Sequence, residues 1–206
     1  MFLSGGETSG DFDAALDVDA NGKVHIVLKA GSAFGGTLRY FTNVSGTLQE
    51  VSTGVSATVV QPKVLAGSNN EIYILYRNEA DRLLNIIHNK TGSFGTPVQI
   101  SPPGQRPAFF QNFSQDASGR LYFVWQSSVT TSNRGFYMVY GENDVYSDTL
   151  LVWELTPDYL LRNSNAIIAK GNGDFAVFYA PSASRDGQVV CDIFMKRGNL
   201  FEVIPV

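Results

Sequence analysis

The sequence predicts an all-β chain built from four repeated units, and three observations carry that prediction. First, four segments share a polar turn, a charged residue and five mostly apolar residues: ANGKVHIVL, SNNEIYILY, ASGRLYFVW and GNGDFAVFY. Their turn positions, Gly22, Asn70, Gly119 and Gly173, are spaced by 48, 49 and 54 residues. Second, the residue after each turn is charged (Lys23, Glu71, Arg120, Asp174), and 19 of the 20 positions that follow are apolar or aromatic, His25 being the exception. Third, side chains alternate across a strand, and here both alternating sets are greasy. One face carries Val24, Ile72, Leu121 and Phe175; the other carries Val27, Leu75, Val124 and Phe178. A strand apolar on both faces belongs in a sheet packed between neighbours.

The remaining elements of each unit follow in order. A first strand precedes the turn, as in AALDVD or NAIIAK. A third follows the long strand, as in LRYFT, LLNIIH, FYMVY or VVCDIF, and a fourth closes the unit, as in LQEVS, PVQIS, LLVWE or LFEVI. Asn and Gly in the turns supply the left-handed conformations that tight hairpins require. Four strands per roughly 50 residues is the arithmetic of a propeller blade. The expected fold is therefore a β-propeller with four four-stranded antiparallel blades in one domain over 1–206, the blades spanning about 13–53, 61–102, 106–155 and 163–206. The alternative is part of a larger propeller, completed by oligomerisation or by sequence outside this chain. Residues Asn78 to Lys90 also fit an amphipathic helix, with Asn78 as cap, but their alignment with LRYFT and FYMVY favours a strand. A single helical turn is expected at Thr156-Pro157-Asp158, where Pro suits the first helical position.

Composition narrows the function classes. The chain has 206 residues, a formal charge of −4 and only 17% charged residues, below the ~25% usual for globular proteins. A mildly acidic chain is not built to neutralise phosphate, so no nucleic-acid partner is expected. No apolar run approaches the ~20 residues needed to span a bilayer, so no membrane span is expected. The start, MFLSGGETSGDFD, lacks the basic and long apolar segments of a secretory signal. The single cysteine, Cys191, excludes an intrachain disulfide framework and reads as a small apolar strand residue. The acceptor-like triplets at Asn43, Asn89 and Asn112 are about what 14 asparagines give by chance.

The units resemble bacterial sialidase-like (BNR-type) propeller repeats. The first reads DANGKVHIV and then LRYFTNVSGTL over Asp19 to Leu48; the second (NNEIYIL, LLNIIHNKTGSF) follows loosely; the third keeps DASGRLYFVW; the fourth, GNGDFAVFY, lacks the Asp. The resemblance implies a propeller and, by analogy, a secreted or cell-surface setting. It carries no chemistry by itself. The family's S-x-D-x-G-x-T-W box is approached only by Ser114-Gln115-Asp116-Ala117-Ser118-Gly119, which has an extra residue before the Gly and sits at the first hairpin of its unit. Arg106-Pro107 lacks the intervening residue of the family's Arg-Ile-Pro signature, so sialidase catalysis is disfavoured.

Other chemistry is sparse. Asp17 to Gly22 (DVDANG) opens like a calcium loop, but its ninth and twelfth positions are His25 and Leu28, so no metal and no cofactor is expected. The pair reads instead as outward-facing strand carboxylates entering a turn. His25 and His88 read as ordinary strand residues, and no GxSxG or GxxxxGK[ST] motif occurs. Asp13, Asp17 and Glu50 read as solvated strand positions rather than as a hydrolytic pair. Six of nine arginines fall on the rim made by the second-to-third-strand loops and the inter-blade connections: Arg77, Arg82, Arg106, Arg134, Arg162 and Arg185. Their forks suit carboxylate, sulfate or phosphate groups; Glu79, Asp81, Asp158 and Asp186 share the rim and offer internal partners. The loops GSAFGGT, SSVTTSNRG and APSASRDGQ are the longest there, and polar loops on a rigid scaffold are where sites lie. The expectation is a non-catalytic binding or interaction module that recognises a glycan or protein partner through these arginines. The alternatives are a polysaccharide-active glycoside hydrolase of the sialidase-like class and an architectural repeat module.

Overall fold

Hairpins dominate the computed structural model, which describes residues 13–32, 35–103, 107–128, 134–154, 161–169, 174–181, 192–197 and 200–205. The chain folds as two compact units, Met1–Ile100 and Ser101–Val206.

The first unit contains two antiparallel meanders of four strands. One is formed by β1 (Ala14–Val18), β2 (Val24–Ser32), β3 (Gly35–Thr42) and β4 (Gln49–Val51). The other is formed by β5 (Val59–Ala66), β6 (Ile72–Asn78), β7 (Leu84–His88) and β8 (Val98–Gln99). A single pair, Gly36 with Val59, joins them into one sheet. A β-carbon on Gly36 would press into the Ala30 carbonyl oxygen, so only glycine permits the close approach of β3 to β2 at this point. The described residues of the GSAFGGT segment belong to the ladder: Gly31 pairs with Gly36 and Ser32 with Gly35 at the end of the β2–β3 hairpin.

Asn78 to Lys90 forms a hairpin, not a helix. Strand β6 ends at Asn78, Arg82 adopts a left-handed conformation (φ 58°), and β7 pairs antiparallel with β6 through Tyr73–His88 and Ile74–Ile87. Burial on both faces is plain in β6, where Tyr73, Ile74 and Leu75 are successive and all fully buried. One face of β2 and β3 packs Val27, Leu38 and Tyr40 against Val59, Val64, Ile72, Ile74 and Tyr76 of the second meander. The opposite face of β2 and β3 holds a separate cluster of Leu28, Ala30 and Phe41. Burying each of the valine, leucine, isoleucine and phenylalanine side chains contributes about 1.5–3 kcal/mol.

The second unit repeats the plan. Strands β9 (Pro107–Gln115), β10 (Leu121–Ser128) and β11 (Arg134–Glu142) form a meander whose outer edge is shared by β12 (Val145–Tyr146) and β13 (Leu150–Glu154). Strands β14 (Leu161–Ala169), β15 (Phe175–Pro181), β16 (Asp192–Arg197) and β17 (Leu200–Pro205) form the next. Tyr122, Val124 and Met138 pack against Ile167, Phe175 and Val177 between the two. Thr156 to Asp158 and Cys191 lie outside the described residues. Among the described residues, no helix is long and apolar enough to cross a membrane.

Candidate functional site

The turns before the long strands β2 and β6 help to set the geometry of the site, and the turn before β10 shares their plan. In the first meander, Asp19 Oδ1 accepts the backbone N–H groups of Asn21 (2.9 Å) and Lys23 (2.8 Å), while Gly22 takes the left-handed conformation (φ 73°) that closes the turn. The third meander does the same. Asp116 Oδ1 accepts the N–H groups of Ser118 (2.9 Å) and Arg120 (3.1 Å) and the Ser118 hydroxyl (2.6 Å), with Gly119 at φ 90°. The second meander has Gly67 at this position and replaces the carboxylate with left-handed Asn69 and Asn70. Each Asp also meets a ring six residues on. Tyr122 donates to Asp116 Oδ2 at 3.0 Å, and His25 Nε2 lies 3.4 Å from Asp19 Oδ2.

These contacts shift the ionisations. The Lys23 N–H, ahead of His25 and the Asn21 N–H, holds the Asp19 carboxyl below the ordinary carboxylate range, against the opposing effect of burial. Burial alone would raise Asp116, but the Ser118, Arg120 and Tyr122 donors together bring it below the ordinary value. Burial, reinforced by Asp116, pushes the Tyr122 phenol up to about 12.

Asp17 and Asp19 are therefore not outward-facing carboxylates. Asp17 Oδ2 accepts the N–H of Ala66 in β5 at 2.8 Å, and Asp19 faces its own turn. Of the other acids read as solvated, Asp13 pairs with buried Lys29 at 3.2 Å and accepts the Gln61 N–H at 3.2 Å. Glu50 forms a two-point ion pair with Arg39, at 3.0 and 2.7 Å.

His25 is more than an ordinary strand residue. It is buried, its Nδ1 is 2.7 Å from the Tyr40 hydroxyl, and the two rings stack at 6.1 Å with an interplanar angle of 3°. With Asp19 ionised, Nε2–H points to the carboxylate, and in the neutral imidazole Nδ1 is then the acceptor for the Tyr40 hydroxyl, giving a Tyr40–His25–Asp19 chain. The signal was the one interruption in an otherwise apolar column. Its partner Tyr40 lies on the neighbouring strand, beyond the reach of sequence spacing. His88 pairs across the ladder with Tyr73, ring to ring at 5.9 Å.

His25 and Tyr40 lie beneath a groove of about 650 Å³ in the first unit. The turns before β2 and β6 (Asn21, Lys23, Asn70), the β3–β4 end (Val44, Gln49, Val51) and the β7–β8 connection (Asn89, Phe94) form its walls. Two asparagines hold those walls in the same way. Asn43 Oδ1 accepts the Val24 N–H at 2.8 Å and Asn89 Oδ1 the Ile72 N–H at 2.7 Å, so both acceptor-like triplets serve the ladder. Phe94 meets Tyr40 edge to face at 5.2 Å. The volume falls in the ~300–1,000 Å³ range of small-ligand sites, and the mix of apolar walls with convergent polar groups is their usual chemistry.

Arg77 and Arg82 do not line this groove. Arg77 is buried near the end of β6 and pairs with Glu79 at 2.7 Å. Arg82 is exposed on the β6–β7 turn, at the opposite end of those strands from the groove. Arg134 begins β11 and Arg162 lies in β14, while Arg106 and Arg185 fall outside the described residues.

No family model matches this chain, and no curated protein matches it. Solved structures do. An α-L-arabinofuranosidase from Podospora anserina, in complex with cellotriose, superposes over 95% of this chain and 66% of its own at TM-score 0.60 and 12% identity. The GH93 α-L-arabinofuranosidase of Fusarium graminearum, with arabinobiose, matches over 95% and 66% at TM-score 0.61 and 10% identity. An ulvan lyase bound to -[GlcA(1-4)Rha3S]- matches over 92% and 56% at TM-score 0.63 and 11% identity. The chain thus spans less than two thirds of the length of each. The expectation of a non-catalytic module is corrected by this finding: the similar structures named here are two glycoside hydrolases and a polysaccharide lyase. At such low identity the likeness establishes architecture, and the chain is an all-β protein of the β-propeller class.

Proposed function

We propose that this chain belongs to an enzyme that cleaves polysaccharide, with the groove of the first unit holding part of the saccharide. The observation that carries this reading is the match of nearly the whole chain to arabinofuranosidases and polysaccharide lyases. The groove supports it by offering amides, hydroxyls and an aromatic wall at saccharide scale. The four meanders are read as consecutive blades. The Asp19 and Asp116 turns are read as degenerate forms of the sialidase-like repeat, in which the carboxylate serves the turn and not the reaction. The rim arginines, Arg82 foremost, are read as a second contact for carboxylate or sulfate groups, separate from the groove.

Hydrolysis and elimination leave different products. Hydrolysis adds water across the glycosidic bond and needs two carboxyl groups flanking it; elimination removes a proton beside a uronate carboxylate and leaves a double bond. The test is incubation of the chain with arabinan, arabinoxylan, ulvan and other uronate polysaccharides, reading new reducing ends and the ultraviolet absorbance of unsaturated uronate. New reducing ends on at least one polymer are expected. Their absence across the panel overturns the proposal.

A further inference from the structure

Among the described residues that line the groove, Lys23 is the one lysine or arginine, and the groove's carboxylate makes no ion-pair contact with it. Asp19 is turned toward backbone N–H groups and His25, and among the described residues no carboxylate pairs with the Lys23 ammonium. On the facing turn Glu71 accepts the Tyr73 hydroxyl of its own strand. The wall is also a built one: Asn21 Nδ2 donates to Asn70 Oδ1 at 2.8 Å, tying the turn of one meander to that of the next beside Lys23. Across from them, Phe94 is held upright against Tyr40 and Val51 extends the apolar wall. The lysine thus stands beside amides and an aromatic ring, with the ionised Asp19 of the same lining turned to other donors and not bonded to its ammonium.

Resting on the reading of the chain as polysaccharide-active, we infer that the groove binds an anionic sugar unit, with Lys23 pairing with its carboxylate or sulfate and Phe94 covering its apolar face. An ammonium serves either anion as a point charge. A neutral sugar would gain the amide contacts and the apolar wall but leave Lys23 unused.

The test measures binding of the whole chain to three probes: oligoglucuronate, a sulfated neutral oligosaccharide, and unsulfated arabino- or cello-oligosaccharide. The anionic probes bind more tightly than the neutral one and weaken with salt; which anionic probe is tighter separates carboxylate from sulfate. Lys23→Gln lowers anionic affinity about tenfold, the scale of a charge-assisted hydrogen bond, and leaves the neutral probe unchanged. Lys23→Arg retains most of the affinity, and Phe94→Ala weakens every probe. Unchanged anionic binding by Lys23→Gln, preference for the neutral probe, or no binding to any probe overturns the inference. Polysaccharide cleavage by a chain that shows one of those results leaves the enzymatic reading standing; the Lys23 effect in a chain that cleaves nothing removes the enzymatic reading alone.

Discussion

Asp17 and Ala66 join consecutive meanders: the Asp17 carboxylate on β1 accepts the Ala66 N–H at the end of β5 at 2.8 Å. The second unit has the same link at the matching positions, with the Ser114 hydroxyl accepting the Ala169 N–H at 3.2 Å. A side chain two residues before the turn Asp thus fixes the first strand of the next meander in both units, once by a carboxylate and once by a hydroxyl. Asp17→Ala is expected to destabilise the fold by about 1–3 kcal/mol and Ser114→Ala by about 0.5–1.5 kcal/mol, since bonds to charged groups are the stronger. Asp17→Asn, which keeps an acceptor, loses less than Asp17→Ala. Urea unfolding midpoints check the order.

The turn carboxylates give the fold an acid limit. Asp19 and Asp116 both ionise below the ordinary carboxylate value in the folded chain. A depressed folded pKa contributes stability above the unfolded value, near pH ~4, that is lost as pH falls through the folded value. The Asp19→Asn, Asp116→Asn double variant should therefore show a flatter stability profile than the wild type on acidification below pH ~4. Thermal unfolding across that interval measures it, and parallel profiles would contradict the assignment.

Close packing at the β2–β3 hairpin end sets Gly36 of β3 apart from Gly46 of the β3–β4 turn. Gly36→Ala drives a β-carbon into the Ala30 carbonyl, an overpacking cost of about 1–3 kcal/mol or more. Gly46→Ala meets no atom within 4 Å and strains only its left-handed backbone (φ 99°), a cost of about 1–2 kcal/mol. Chemical denaturation of the two variants should rank Gly36→Ala as the more damaging.

Removing the Tyr40 hydroxyl tests the buried chain beneath the groove. Tyr40→Phe keeps the ring packed on Phe94 and His25 but leaves His25 Nδ1 without this donor, at a cost of about 1–3 kcal/mol for an unsatisfied buried group. The expected readout is a lowered unfolding midpoint together with a moved His25 ring resonance in the nuclear magnetic resonance spectrum. An unmoved resonance would show that the Tyr40–His25 bond is not formed in solution.

The strands were legible because their signals are local: five-residue apolar runs, Asn and Gly turns, and a recurring charged residue all act within one hairpin. The site was not, because it is assembled across strands. Tyr40 reaches His25 only through the β2–β3 register, in which it pairs with Val27. Phe94 reaches Tyr40 from the other meander of the unit. The GSAFGGT segment misled for a related reason: small polar composition looks like an open loop, yet here the glycines serve close backbone approach. Arginine counting placed interest on one rim, while the burial of Arg77 beside Glu79 depends on packing that composition does not show.

Product analysis of a mixed plant and algal polysaccharide digest tests the enzymatic reading most directly. The account predicts shortened oligosaccharides carrying either ordinary reducing ends or unsaturated uronate ends, formed by the wild-type chain and absent from a heat-inactivated control. Polymers recovered at full length, from a chain shown to be folded by its cooperative unfolding, would contradict it.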